Sequence, residues 1–258
     1  MVQYKTEAIV LRLQKYREAD ALVTLLTKER GKITGVARGI YKPTSSLRGG
    51  VQPYSINMMM LDAGRSTLHT LIQSECQEML LPLRHSYEAM ALGAYWAELL
   101  ENFGQEELAD ESLFQLAKAG FLGLAVNAGA LMGRVLEIRL ISQQGLQPDF
   151  MFCCRCGKAI DRERAAGFSP EEGGFLCGTC LTDRQGRSTQ GQLRVSPSVS
   201  GLWQGLERMG LDKLGRVSVS SYQLDELERV LRLWILHHTG RPMKTWSMIN
   251  KLQINKEG

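Results

Sequence analysis

The feature that most constrains the fold of this chain is the spacing of four cysteines. Cys153 and Cys156 form one C-x-x-C pair, and Cys177 and Cys180 form a second pair after twenty intervening residues. Each pair places two thiolates on one turn of backbone, and two pairs complete a tetrahedron of sulfur ligands, as in structural zinc sites. Because four protein ligands leave no position for a water, the spacing predicts a structural metal rather than a catalytic one.

Other chemistries use the same residues. The four thiols could form disulfides, stay free, or hold an iron–sulfur cluster, and a redox enzyme is a further alternative. Redox C-x-x-C motifs usually accompany a βαβ pattern, which this chain lacks. Cys154 is predicted to be a spectator, since using it in place of Cys153 would give a poorer C-x-C pair. Cys76 stands alone and is expected to be a small buried apolar residue rather than a nucleophile.

The start of the chain and its apolar stretches indicate the cellular compartment in which the protein is expected. MVQYKTEAIVLRL is charged and alternating, without the apolar run of a signal peptide. We find no stretch that approaches the roughly 18 apolar residues needed to span a membrane. We therefore expect a cytoplasmic protein, where thiols are usually reduced and available to a metal.

The first 78 residues carry five β-rich segments with short turns between them. Five strands in so short a stretch predict a small barrel, most commonly an OB fold, with a small open sheet as the alternative. The segments are the alternating run 9–14, the run 21–27, the run 32–36, one face formed by Tyr54, Ile56, Met58 and Met60, and a last strand with Leu68, Thr70 and Ile72.

Charge is concentrated in the same region. Residues 1–74 contain eleven basic and five acidic residues, a net charge of +6, whereas the whole chain is +4 and the remainder is therefore −2. Such asymmetry indicates an acidic partner for the N-terminal part, although a solvated basic surface is the simpler interpretation.

The basic residues converge on a polar segment, 38–50, that predicts a long mobile loop. Basic groups neutralise phosphates and an aromatic ring can stack on a base, so the stretch predicts a nucleic-acid site. Tyr41 could equally pack locally, and four arginines of the cysteine region, Arg162, Arg164, Arg184 and Arg187, are a second candidate surface. The predicted DNA-binding residues are Arg30, Lys32, Arg38, Tyr41, Lys42 and Arg48.

From Glu75 the apolar period becomes helical. We predict a helical domain in two parts, residues 79–148 and 187–250, interrupted by a cysteine module at 149–186. Its third helix, expected over 128–143, is apolar on most of its surface and carries Arg134 and Arg139. The predicted fold class is thus α+β: a five-stranded barrel over 1–78, then helices with an inserted four-cysteine module.

Several catalytic motifs are missing from the sequence. There is no phosphate-binding loop, no H-E-x-x-H and no G-x-S-x-G. His237 and His238 are predicted to end the last helix as partners of its dipole rather than as ligands. The sequence therefore predicts a protein that is not an enzyme and that uses no nucleotide cofactor.

The combination of motifs resembles the bacterial RecO family of recombination mediators over roughly residues 3–245. The matching segments are EAIVLR (7–12), YREAD (16–20), LLTKERG (25–31), VARG (36–39), SSLR (45–48), VQPY (51–54), GFS (167–169) and GGFLC (173–177).

This resemblance implies an OB domain, a helical domain and an inserted zinc module. It also implies binding to single- and double-stranded DNA, strand annealing, partnership with RecR and with the acidic tail of single-strand-binding protein, help in loading RecA, and a place at the nucleoid. Arg134 and Arg139 are candidate partners for that tail, with core ion pairing as the alternative. A zinc-containing, sequence- or structure-specific nucleic-acid-binding regulator is the competing hypothesis.

Overall fold

A computed structural model describes residues 2–64, 67–160, 166–182 and 191–249, apart from the side chain of Ala166. The strands are β1 (Val2–Lys15), β2 (Ala21–Thr27), β3 (Gly31–Ala37), β4 (Ile56–Ala63), β5 (Leu68–Glu78), β6 (Ala166–Ser169), β7 (Gly174–Leu176) and β8 (Leu193–Val195). The helices are α1 (Tyr87–Phe103), α2 (Glu111–Val126), α3 (Ala130–Gln143), α4 (Gly178–Thr182), α5 (Ser198–Arg208) and α6 (Ser221–Thr239), with 3-10 turns at Leu81–Arg84 and Leu211–Arg216.

The first five strands form a closed barrel in the order β1-β2-β3-β5-β4, with β4 returning to β1. β3 and β5 pair in parallel, and the other neighbouring strands pair antiparallel. Closure rules out the open sheet, and the α+β fold with an N-terminal OB-type barrel is confirmed.

Bulges set which side chains enter the barrel. A register shift between Val10 and Arg12 interrupts the simple alternation of β1, so that Val10 and Leu13 both face the barrel core. On β4 the inward residues are Met59 and Leu61. The face containing Met58 and Met60 is therefore the outer one. The sequence does not indicate which face is buried, because apolar residues lie on both sides of this strand.

The segment 38–50, which the sequence predicts to be a long mobile loop, forms a series of turns that is anchored on the barrel at two positions. Ile40 and Leu47 are buried and join the barrel core together with the adjacent Val51. The backbone N–H of Gly39 donates to Oδ1 of Asp20 at 2.8 Å. Apolar side chains at both ends of the segment therefore hold its polar middle against the barrel.

The chain divides into two compact units, residues 1–129 with 243–258, and residues 130–242. The predicted four-segment division of the chain stays a prediction. In the first unit α1 and α2 follow the barrel and begin at Ser86 and Asp110, whose side chains accept from backbone N–H groups three residues on. The helices approach closely at Gly120, where a Cβ would lie 2.5 Å from Nε1 of Trp96.

The second unit is built on α3, which packs against α5 and α6. α3 starts two residues later than predicted and is buried on most sides, as its sequence indicates. α6 begins with a capping box at Ser220 and ends at Gly240 in the left-handed conformation, which terminates the helix. The small sheet β7-β6-β8 lies in this unit with the cysteine region.

Candidate metal centre and nucleic-acid interface

The first cysteine pair lies on a tight turn. The N–H of Cys153 donates to the carbonyl of Lys158, and the N–H of Gly157 donates back to the carbonyl of Cys153, both at 2.8 Å. Gly157 has φ of +69°, a conformation that favours glycine. The turn therefore curls the backbone around the two thiols.

The second pair brackets the start of a short helix. Cys177 follows β7 directly, and Cys180 lies inside α4. The N–H of Leu181 donates to the carbonyl of Cys177 at 3.0 Å, which closes the turn between the two thiols. A strand end and a helical turn thus present the second pair of sulfur atoms.

The fold brings these four sulfur atoms together, all within 4.8 Å of one another. Sγ of Cys156 and Sγ of Cys177 are 3.8 Å apart. A tetrahedron with zinc–sulfur bonds of about 2.3 Å has edges of about 3.8 Å, so the residues fit a zinc ion. All six cysteines lie within the described ranges, and none of them forms a disulfide there.

The pKa values of the Cys153 and Cys180 thiols are shifted in opposite directions. Burial alone would raise the pKa of Cys153, but backbone N–H groups of Cys177, Cys156 and Arg155 point at its sulfur and lower the pKa to about 7. The pKa of Cys180 is raised, first by burial and then by the neighbouring thiols. The backbone N–H groups around Cys153 favour its thiolate, which is the form of cysteine that binds a metal.

Cys154 lies outside the cluster, as its predicted spectator role requires. Its S–H donates to the carbonyl of Phe175 at 3.1 Å. Burial, reinforced by the negative sulfur of Cys153, raises the pKa of the Cys154 thiol to about 11. A protonated, hydrogen-bonded thiol is a poor metal ligand and a poor nucleophile.

Arg155 is a functional residue that the sequence reasoning missed. Its Nε donates to both carboxylate oxygens of Glu172 at 2.8 and 2.9 Å. Its Nη1 donates to the carbonyl of Cys180. A guanidinium between two ligands of the first pair therefore fastens the second pair, and it places a positive charge beside the thiolates.

The six candidate DNA-binding residues fall into two groups. Arg38, Lys42 and Arg48 are exposed on the 38–50 segment, and in the described part of the chain no carboxylate lies within ion-pair distance of them. Tyr41, from the same segment, is 39% exposed, and its N–H donates to the carbonyl of Ala19 at 3.1 Å. These four side chains are available to a ligand.

Arg30 and Lys32 have protein partners instead. The guanidinium of Arg30 lies over the ring of Tyr4, 4.4 Å from its centroid, and 3.5 Å from a carboxylate oxygen of Glu107. Lys32 is only 16% exposed: its ammonium is 3.4 Å from a carboxylate oxygen of Glu106 and donates to the carbonyl of Glu101 at 2.8 Å. Both cations are therefore engaged by acidic side chains of the first unit.

The neighbourhood of Arg30 contains a network that no sequence signal indicates. The hydroxyl of Tyr4 is 2.7 Å from Nδ1 of the buried His69, whose Nε2 contacts the carboxylate of Glu107. Burial raises the pKa of Tyr4 to about 12. Since the residues come from β1, β5 and the α1–α2 connection, only the folded chain assembles them.

The two arginines of α3 have partners inside the second unit. Arg134 is buried and ion-paired with Glu137 and, at 2.9 Å, with Glu228, while Arg139 donates to the carbonyl of Met209. For Arg134 the structure therefore shows core ion pairing, which was the alternative to a role in docking an acidic tail. Arg162, Arg164, Arg184 and Arg187, the second candidate surface, lie outside the described residues.

His237 and His238 lie in the last turn of α6, as predicted, where both rings contact Trp234. Burial, with the neighbouring His237 second, lowers the pKa of His238. Neither His237 nor His238 belongs to the four-cysteine cluster.

Across the described ranges we find no helix with the length and apolar character that membrane crossing requires.

Comparison with known proteins covers both halves of the chain. The family model Recombination protein O N terminal matches residues 1–80, and Recombination protein O C terminal matches residues 84–247. Among similar proteins, the DNA repair protein RecO of Desulforamulus reducens is 33% identical over 255 residues, 99% of this chain and 97% of that protein. The DNA repair protein RecO of Desulforudis audaxviator is also 33% identical, over 99% of each chain. The DNA repair protein RecO of Bacillus pumilus is 29% identical over 98% of this chain and 96% of its own length. The chain therefore belongs to the RecO family of DNA repair and recombination proteins.

Proposed function

We propose that this protein is a recombination mediator that binds single- and double-stranded DNA and anneals complementary strands without hydrolysing a nucleotide. The observation that carries the proposal is the group of three exposed cations, Arg38, Lys42 and Arg48, on the barrel segment 38–50, without an ion-pair partner in the described part of the chain. Such groups neutralise phosphates and release counterions whatever the base sequence. This favours the mediator over a sequence-specific regulator.

The mechanism is electrostatic and needs no bond to be made or broken by the protein. Two DNA strands repel each other through their phosphates. A basic surface offsets that repulsion and raises the local concentration of strands. Base pairing then supplies the driving force, so the proposed activity uses no catalytic residue and no nucleotide cofactor.

The metal in this proposal is a structural zinc held by Cys153, Cys156, Cys177 and Cys180. When bound, it cross-links two distant turns of the chain and leaves no ligand position open for water. Arg155 and Glu172 hold the second pair of ligands in place. Zinc therefore shapes the second unit, and DNA binding belongs to the barrel.

The family membership supports partners beyond DNA. We propose RecR, the acidic and apolar-ended tail of single-strand-binding protein, and RecA loading on coated strands, in the cytoplasm at the nucleoid. We do not propose Arg134 and Arg139 as docking residues for the tail, because both side chains are bound by other groups of the second unit.

The test is an annealing assay with fluorescent complementary strands, bare or coated with full-length or tail-deleted single-strand-binding protein, with and without ATP. We expect ATP-independent annealing that needs the tail on coated strands. A triple variant, Arg38→Ala, Lys42→Ala and Arg48→Ala, should anneal slowly. The matched control removes three exposed cations of the second unit, Lys213→Ala, Arg216→Ala and Arg229→Ala, and should anneal normally. A requirement for ATP, or equal loss in both triple variants, contradicts the proposal.

A further inference from the structure

A cavity of about 420 Å³ opens between the 38–50 segment and strand β5 of the barrel. Arg38, Lys42 and Ser46 lie on the segment side, and Leu71 and Ile72 of β5 line it from the barrel side. Its volume is within the range of about 300–1,000 Å³ that small-molecule sites occupy. The cavity therefore has room for one nucleotide unit and not for a duplex.

The lining combines three kinds of chemistry. Arg38 and Lys42 supply positive charge, and Ile72 supplies an apolar surface that is 41% exposed. Asp20 adds one carboxylate. An isolated anion site would not include a carboxylate, because like charges repel. A nucleotide matches the set, since its phosphate suits the cations, its base has an apolar face, and the pairing edge of every base carries an N–H donor.

The cavity is preformed by local hydrogen bonds. The backbone N–H of Gly39 donates to Oδ1 of Asp20 at 2.8 Å, which fixes the carboxylate at the base of the segment. The N–H of Leu47 donates to Oγ of Ser45 at 3.3 Å, and the Leu47 side chain is buried in the barrel core. A preformed site loses less conformational entropy when it binds.

We propose that this cavity takes one unstacked nucleotide of a single strand, with its phosphate on Arg38 and Lys42 and its base against Ile72. The proposal rests on the proposed DNA-binding function and refines it. A paired base is stacked inside a duplex and cannot enter without being flipped out. The cavity thus gives the barrel a preference for single strands over duplex, while the surrounding cations bind both.

The test is a variant that fills the cavity without changing charge. Ser46 is exposed and lines the cavity, so Ser46→Phe blocks it, and Ser218→Phe is the matched control on an exposed serine of the second unit. Ile72→Ser is an independent variant that removes the apolar surface from an exposed strand position. Binding is measured by anisotropy with three labelled probes of equal length: an oligothymidylate, a strand of abasic residues, and a duplex.

Ser46→Phe and Ile72→Ser should each weaken binding of the oligothymidylate by about five- to tenfold, the lower end of the range for one stacked base, because Ile72 is not aromatic. Affinity for the abasic strand and for the duplex should stay within twofold. Unchanged thymidylate binding, or equal loss with all three probes, overturns the cavity as a nucleotide site. Failure of the proposed function has a different signature, an unchanged affinity and salt dependence for every probe when Arg38, Lys42 and Arg48 are replaced together.

Discussion

The salt dependence of DNA binding separates the two groups of basic residues that the sequence could not distinguish. We compare the triple variant Arg38→Ala, Lys42→Ala and Arg48→Ala with the double variant Arg30→Ala and Lys32→Ala. The first removes exposed cations, and the second removes cations that Glu107 and Glu106 already engage. A cation that is paired within the protein releases few counterions when DNA binds nearby.

The expected size follows from counterion release. Each phosphate neutralised on a single strand contributes a slope of about 0.7 log units of affinity per log unit of salt. Removing three such contacts flattens the slope by about 2. Between about 50 and 200 mM salt the parent protein should therefore lose about 20-fold more affinity than the triple variant. For the double variant the slope should change by less than about 0.5, because its two charges are compensated in the fold.

The assay is fluorescence anisotropy of a labelled single strand at four or five salt concentrations, with a duplex in parallel. The double variant is expected to lower stability, since Lys32 donates to the carbonyl of Glu101 and is mostly buried, so a circular dichroism melt accompanies the titration. If the salt slope decreases more in the double variant than in the triple variant, the reasoning is refuted and the DNA contact lies at the β2–β3 turn.

Three further predictions concern the fold. Cys177→Ser should abolish stoichiometric zinc by elemental analysis, whereas Cys154→Ser should keep one zinc per chain and cost less than about 1 kcal/mol, because the serine hydroxyl can still donate to the carbonyl of Phe175; metal loss in Cys154→Ser would contradict the ligand set. Gly31→Ala should cost at least about 2 kcal/mol in urea unfolding, because φ is +64° and the added Cβ would lie 1.9 Å from the carbonyl oxygen of Leu108, and a neutral result would contradict that contact. Arg134→Ala should cost about 3–5 kcal/mol because it removes one partner of the buried ion pair with Glu137, against less than about 1 kcal/mol for Arg229→Ala on an exposed face, and equal costs would contradict the buried pairing.

Much of this protein follows from the sequence alone, wherever the decisive interactions are close along the chain. The sequence predicts strand β2 over its observed bounds, Ala21–Thr27. It also predicts the four-cysteine cluster, because a C-x-x-C pair defines its own turn and only the meeting of two turns is left to the fold.

The tertiary structure alone decided which charges and which faces are free. Arg30 and Lys32 resemble Arg38 and Lys42 in sequence, but carboxylates some 75 residues away along the chain meet only the first two. The sequence of β4 does not indicate its inward face either, because Met58 and Met60 on one side are as apolar as Met59 and Leu61 on the other. Local spacing determines turns, helices and ligand pairs, whereas electrostatic pairing and strand register depend on distances in space between residues that are far apart in sequence.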